Sequence, residues 1–283
     1  MKLSQARIAI ALAVLIASSS GCSLVNRVRA KNELNEAARS YREGKFIEAE
    51  QHSRKALELD PNSKAAPLFI ARTIHAQYRP GVATPENLDK AREAIEAYRK
   101  ILEIDPQNEE AYKAIAFLYE RIKEETKLRD WIVARANDGR VDNEKRAEAY
   151  IVLASKDWNC SFQMTDLPTN KITTVVAGKA TISYKKPKDQ KDFDKAQMCV
   201  KRGMEEVENA IKFDPNSESA WSYKTNLLAE AIKLAEMDGK TDQKAELDKQ
   251  REAAQKRTNQ LSEANRKKQA EEEAKKAASP PTS

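Results

Sequence analysis

The chain has 283 residues, enough for one large domain or two modest ones. Only 7 glycines, 33% charged residues and 6% aromatics exclude a β-barrel or a thick globule, and fit a helix-rich chain whose core is spread along its length. Lys and Arg number 50 against 44 Asp and Glu, a net charge of +6, and the signs alternate almost everywhere. That pattern describes solvated helix faces, not the concentrated basic surface of a nucleic-acid binder.

At the N-terminus Lys2 and Arg7 precede an unbroken apolar run from Ile8 to Ala17. About ten apolar residues suit the core of an export signal, whereas a bilayer span takes about twenty. Ser18-Ser19-Ser20-Gly21-Cys22 follows, and small residues mark a cleavage site. A cysteine directly after glycine resembles a bacterial lipobox, in which Cys22 is lipidated and becomes the first mature residue; Ser19 stands where such boxes usually carry Leu. Lipoprotein, ordinary cleaved secretion signal and retained anchor all remain open, and all place the rest of the chain outside the cytoplasm. Residues 1–22 are thus expected to be the signal and 23–31 a short tether.

Helical spacing begins with Leu34, Ala37, Ala38 and Tyr41, is broken at Gly44-Lys45, and resumes with Phe46, Ala49, Ser53, Ala56 and Leu59. Pro61 ends that helix, because proline pushes the preceding residue out of the α region. The phrase Leu57-Glu58-Leu59-Asp60-Pro61-Asn62 returns as Leu102-Glu103-Ile104-Asp105-Pro106-Gln107-Asn108 and as Ile211-Lys212-Phe213-Asp214-Pro215-Asn216. Each copy is a helix end, a proline stop and an Asn or Ser able to cap the next helix. Helix, stop, cap and helix in repetition mark a stacked array. Gly44, Phe46, Ala49, Ala56 and Pro61 also stand at the spacing of a tetratricopeptide repeat (TPR), with Ser53 in place of the usual aromatic. The chain resembles exported bacterial TPR lipoproteins. The resemblance implies helical hairpins whose first helices line a groove for a protein or peptide.

A second unit follows with Ala65, Leu68, Ile70, Ala71 and Ile74, the long loop Arg79–Pro85, and a helix through Leu88, Ala91, Ile95, Tyr98 and Ile104. Solenoids place such insertions on one face, often the binding face; tolerated surface is the plainer alternative. A third unit runs from Glu109 past Tyr112 and Trp131 to the glycine stop at Asn137-Asp138-Gly139. Another helix carries Ala147, Tyr150, Leu153 and Trp158.

The pattern then changes. Lys171–Val176 and Ala180–Tyr184 flank Gly178 and are rich in β-branched residues, which predicts a β-hairpin within an insertion of about 160–188. Two strands alone are marginal in water, so the hairpin must lean on helices. A helix resumes near Asp192 and runs to Pro215, with Gly203 where the repeat usually has Ala, and another follows from Glu218 through Trp221 to Gly239. Residues 240–265 read as a polar capping helix. Residues 266–283, mostly Lys, Glu and Ala, read as a frayed or disordered tail.

The expected fold is therefore all-α: a TPR-like helical-hairpin solenoid over residues 32–239, with a small β-hairpin insertion and a long C-terminal helix. In an exported chain Cys160 and Cys199 point to a disulfide, the alternative being two free buried cysteines. No CxxC, HExxH, GxSxG or glycine-rich phosphate loop occurs. His52 and His75 lie on different helices without an acidic ligand pattern, and pairs such as Glu205-Glu206 read as solvated faces. No metal, cofactor, catalytic residue or nucleic-acid partner is expected.

Helix position makes Asn35, Arg39, Arg42, Arg72, His75, Lys113 and Tyr223 the candidate groove residues. The expected function is a non-enzymatic, membrane-tethered scaffold for a protein partner in the cell envelope, facing the periplasm. The alternative is a spacer whose charged tail contacts the cell wall.

Overall fold

The structure is a computed structural model that describes residues 24–176 and 178–278. The signal expected over residues 1–22, with Cys22, lies outside the described residues. The chain divides into two compact units at Leu128/Arg129.

Unit 1 begins with helix α1 over residues 24–42. It continues with α2 (Phe46–Leu59), α3 (Ala66–Gln77), α4 (Pro85–Ile104) and α5 (Glu109–Arg121). α6 (Glu125–Asn137) contains the division. From α2 to α5 each helix packs on the next in sequence. Close approach is possible because the contact positions are small: Ala37, Ala49, Ala56, Ala71, Ala91, Ala94 and Ala111 are fully buried. Ser53 is fully buried too, and its hydroxyl returns to the Ala49 carbonyl at 2.8 Å, so a small self-satisfied residue occupies the position of the missing aromatic.

The segment expected to be a tether is part of α1. Ala30, Leu34 and Ala37 follow one another at one-turn spacing, and Ala30 packs with Ala56 and Ala66. That burial draws the helix back to residue 24.

The Asp-Pro phrase stops its helix in the same way in its three copies. α2, α4 and the helix ending at Phe213 stop with extended dihedrals at Asp60, Asp105 and Asp214. Each aspartate carboxylate accepts the backbone N–H two residues on, from Asn62 (3.3 Å), Gln107 (3.1 Å) and Asn216 (3.0 Å). The residue three past each aspartate then accepts from the next helix: Asn108 and Ser217 are N-caps that accept from Ala111 and Ala220, whereas α3 has Ala65 at its N-cap and Ser63, two residues before it, accepts from Ala66 N–H. The loop after α3 is likewise built. Asn87 accepts from Arg79 N–H at 2.8 Å and donates to the Arg79 and Val82 carbonyls at 2.9 and 2.7 Å.

Unit 2 contains α7 (Asn143–Thr165), strands β1 (Lys171–Val176) and β2 (Lys179–Tyr184), α8 (Gln190–Phe213), α9 (Glu218–Met237) and α10 (Thr241–Ala278). α7 packs on α8 and α9, α8 on α9, and α9 on α10. The strands are antiparallel with Lys171 opposite Tyr184 and Val176 opposite Lys179. Tyr184 packs against a core of Phe193, Ala196, Val200, Leu234 and Met237, which is how the hairpin leans on helices. α7 continues to Thr165, so the insertion is shorter than the expected 160–188.

The tail is also corrected. α10 runs unbroken to Ala278, although residues 263–276 are exposed. Lys, Glu and Ala are strong helix formers, and their intrinsic preference sustains the helix beyond its last buried residue, Leu261.

Candidate functional site

In unit 1 the first helices of successive hairpins meet through polar and aromatic side chains. Arg72 on α3 forms a two-point ion pair with Glu110 on α5, both about two-fifths exposed. One turn on, the His75 ring lies 5.8 Å from Phe117 of α5 and 5.9 Å from Tyr98 of α4. His75 Nδ1 and the Tyr98 hydroxyl stand 3.4 Å apart. The Arg121 guanidinium covers Phe117 at 4.9 Å, and Arg72 lies 5.9 Å from Phe69. Phe117 still exposes 37% of its surface. The result is a floor with an open aromatic face, edged by cations.

Burial lowers the His75 pKa below its ordinary value, which keeps the imidazole neutral at pH 7. Burial likewise raises the Tyr98 phenol, with the Glu110 charge adding to it. The pair is thus neutral, while Glu110 holds Arg72 as a cation. His52 is placed differently: its Nδ1 meets Glu33 at 2.7 Å, and Lys55 meets the same carboxylate at 2.5 Å. Hydrogen bonds from Lys55 and His52 lower the Glu33 pKa.

Of the seven candidate residues, the structure brings Arg72 and His75 together. Lys113 is exposed on α5 and reaches Glu109 at 3.6 Å. Asn35, Arg39 and Arg42 are exposed on α1, with Arg39 paired to Glu36 at 2.5 Å. None of these three makes a hydrogen bond or ion pair to the Arg72–His75 cluster among the described residues. Tyr223 belongs to unit 2, half-buried with its ring 6.3 Å from Trp158. Sequence reasoning missed Glu110, Phe117 and Arg121. A signal existed: Phe117 stands eleven residues past Pro106, as Arg72 does past Pro61.

Unit 2 concentrates its charge inside. Asp157 of α7, almost fully buried, accepts from Arg202 Nε of α8 at 3.1 Å and from Arg129 of α6 at 3.1 Å, and Arg129 also pairs with Glu206. Glu230 of α9 accepts from Ser161 (3.0 Å), Thr165 (2.6 Å) and Lys233 (2.7 Å). Glu206 therefore departs from the solvated face expected for it. It packs against α7 at the spacing of Phe193, Ala196, Val200, Gly203 and Ala210, all buried on α8. Cys160 and Cys199 are bonded, with Cα atoms 6.1 Å apart, joining α7 to α8 beside this network. Among the described residues no group of three or more His, Cys, Asp or Glu could hold a metal ion.

Paired antiparallel helices with alanine seams, recurring Asp-Pro stops, and first helices that touch across hairpins decide the fold. It is an all-α, TPR-like array of helical hairpins with a small β-hairpin insertion. No family model and no curated protein matches the chain. Among solved structures, MamA from Desulfovibrio magneticus RS-1 aligns at 15% identity and TM-score 0.36, over 84% of this chain and 96% of that one. PilF of Pseudomonas aeruginosa aligns at 16% and 0.33, over 80% and 91%. A tetratricopeptide repeat protein of Parabacteroides merdae aligns at 13% and 0.34, over 82% and 97%. Superposition this loose assigns neither fold nor partner, so the TPR-like description rests on the packing of the helices themselves.

Proposed function

We propose that this chain is a non-catalytic scaffold that binds a protein partner along the α3–α5 face of unit 1. The observation that carries the reading is Phe117, an aromatic left open between His75 and the Arg121 guanidinium, above a floor fixed by the Arg72–Glu110 pair. A rigid aromatic with adjacent arginines is the composition of a binding hot spot. Arg121 and Lys113 at its edge favour a partner segment with an acidic residue next to an apolar anchor.

The scaffold acts in the cell envelope, tethered through Cys22 and facing the periplasm. The apolar run Ile8–Ala17 with its small-residue boundary, and a Cys160–Cys199 bond suited to an oxidising compartment, support this. Among the described residues no helix is long and apolar enough to cross a membrane. Mass spectrometry of the N-terminus of the protein recovered from cells tests the anchor: a diacylated or triacylated Cys22 supports it, and an unmodified residue elsewhere overturns it. Partner capture after crosslinking tests the scaffold. A stoichiometric protein adduct supports it, whereas recovery of cell wall alone favours the spacer.

A further inference from the structure

The first two turns of α1 carry an exposed apolar face. Leu24, Val25 and Val28 expose 62%, 50% and 62% of their surfaces. At 3.6 residues per turn the three fall within about 100° of helix arc, on the side opposite Ala30, Leu34 and Ala37, which turn inward. The same winding puts Arg27 and Lys31 along one margin of this stripe and Arg29 along the other, and all three are exposed.

These cations are not neutralised by the protein. The chain has no Asp or Glu before Glu33. Glu33 itself is committed to His52 and Lys55 of α2, and Glu36 to Arg39. Arg27, Arg29 and Lys31 form no ion pair among the described residues. Farther along unit 1, by contrast, Arg54 takes Glu50 and Arg92 takes Asp89 one turn away. An aliphatic stripe bordered on both sides by free cations is the composition of a helix that lies in a membrane interface. The rigid aromatic that marks the α3–α5 face as a protein site is missing from it.

We propose that this face rests on an anionic phospholipid surface. Leu24, Val25 and Val28 enter the boundary between headgroups and acyl chains, while Arg27, Arg29 and Lys31 meet lipid phosphates. The proposal rests on the Cys22 tether for what brings α1 to a bilayer. Cys22 stands two residues before Leu24, a reach of at most about 7 Å, so acyl chains on it hold the first turn at headgroup depth. Because Ala30 and Leu34 pack α1 into its hairpin, docking this face also sets how unit 1 stands on the membrane.

Flotation of the protein recovered from cells tests this, with vesicles of phosphatidylcholine alone against phosphatidylcholine containing about 30% phosphatidylglycerol. An acyl tether partitions into both; the cations distinguish them. At about fivefold per cation, wild type should bind the anionic vesicles up to about a hundredfold more tightly at low salt, and the preference should shrink at about 0.5 M salt. Arg27→Gln, Arg29→Gln and Lys31→Gln together should bring the two affinities close to equality. Leu24→Ser with Val28→Ser should weaken binding to both vesicles at least about tenfold, with unchanged circular dichroism because both positions are exposed. A photo-crosslinking residue in place of Val28 should yield a phospholipid adduct. Equal wild-type affinity for the two vesicles, a preference that survives the triple glutamine variant, or an adduct from position 28 to a protein or to the chain's own N-terminal segment in place of lipid would each overturn the proposal. Mass spectrometry of the same sample separates this face from the tether. An anionic preference with an unmodified Cys22 supports the face and overturns the tether, whereas no preference with an acylated Cys22 does the reverse.

Discussion

Gly203 of α8 lies directly against Leu227 of α9: a Cβ at Gly203 would stand 2.7 Å from Leu227 Cδ2 and 3.2 Å from Asp157 Cβ of α7. Leu227 is fully buried and has nowhere to retreat. The hydrogen at this position is what lets three helices meet. Gly203→Ala gains about 1 kcal/mol of helix propensity but overpacks the junction by about 1–3 kcal/mol. The variant should be less stable, by up to about 2 kcal/mol. All three tryptophans (Trp131, Trp158 and Trp221) lie in unit 2, so urea unfolding followed by their fluorescence reads this unit. A stabilised variant would show that the junction is looser than described.

Glu206 sets a pH dependence in the same unit. Burial pushes its carboxyl from the ordinary 4.5 up to about 8, against the opposing charge of Arg129. Folding therefore takes up a proton here. The contribution is complete below about 4.5 and is lost as pH rises through about 8. Both histidines, His52 and His75, lie in unit 1, so no histidine titration overlaps this window in unit 2. Tryptophan-monitored stability should fall between pH 5 and 8 in wild type and flatten in Glu206→Gln. Equal slopes would remove Glu206 as the cause.

The Cys160–Cys199 bond closes a loop with a sequence separation of 39 residues. In the chain-entropy description its loss costs about 3 to 4 kcal/mol. Cys160→Ser with Cys199→Ser should lower the urea midpoint of unit 2 accordingly, as should reduction of the wild type. An unchanged midpoint would mean the α7–α8 ion network suffices alone.

At the third Asp-Pro stop, Ser217→Ala removes the hydroxyl that accepts from Ala220 N–H at 3.3 Å. The expected cost is about 1 kcal/mol, seen in the same unfolding experiment. Ser217→Asn should restore most of it, because it keeps an acceptor at the cap.

What the sequence made legible was local. Asp60-Pro61, Asp105-Pro106 and Asp214-Pro215 carry their geometry in adjacent residues, so helix ends and caps follow from proline sterics and side-chain acceptors. The hairpin was legible for the same reason, its β-branched strands flanking Gly178. Glu206 was not, because a carboxylate beside Glu205 reads as solvated until Arg129, 77 residues away, is known to meet it, and Glu230 was not, because Ser161 and Thr165 lie 69 and 65 residues from it. The groove was half-visible: Arg72 and His75 follow from helix position, but Glu110 and Phe117 require knowing that α3 and α5 are neighbours. The helical state of 266–278 was not legible from burial, because the propensity of Lys, Glu and Ala alone carries the helix there.

The proposed function turns on the partner's seat at the α3–α5 face. A photo-crosslinking amino acid placed at Phe117 in cells, with the outward, exposed Glu103 of α4 as the control position, tests it directly. The account predicts a discrete protein adduct from position 117, absent from position 103 and reduced when Arg121→Glu reverses the charge at its edge. Equal adducts from both positions, or none from 117 while the protein is still recovered in a complex, would contradict it.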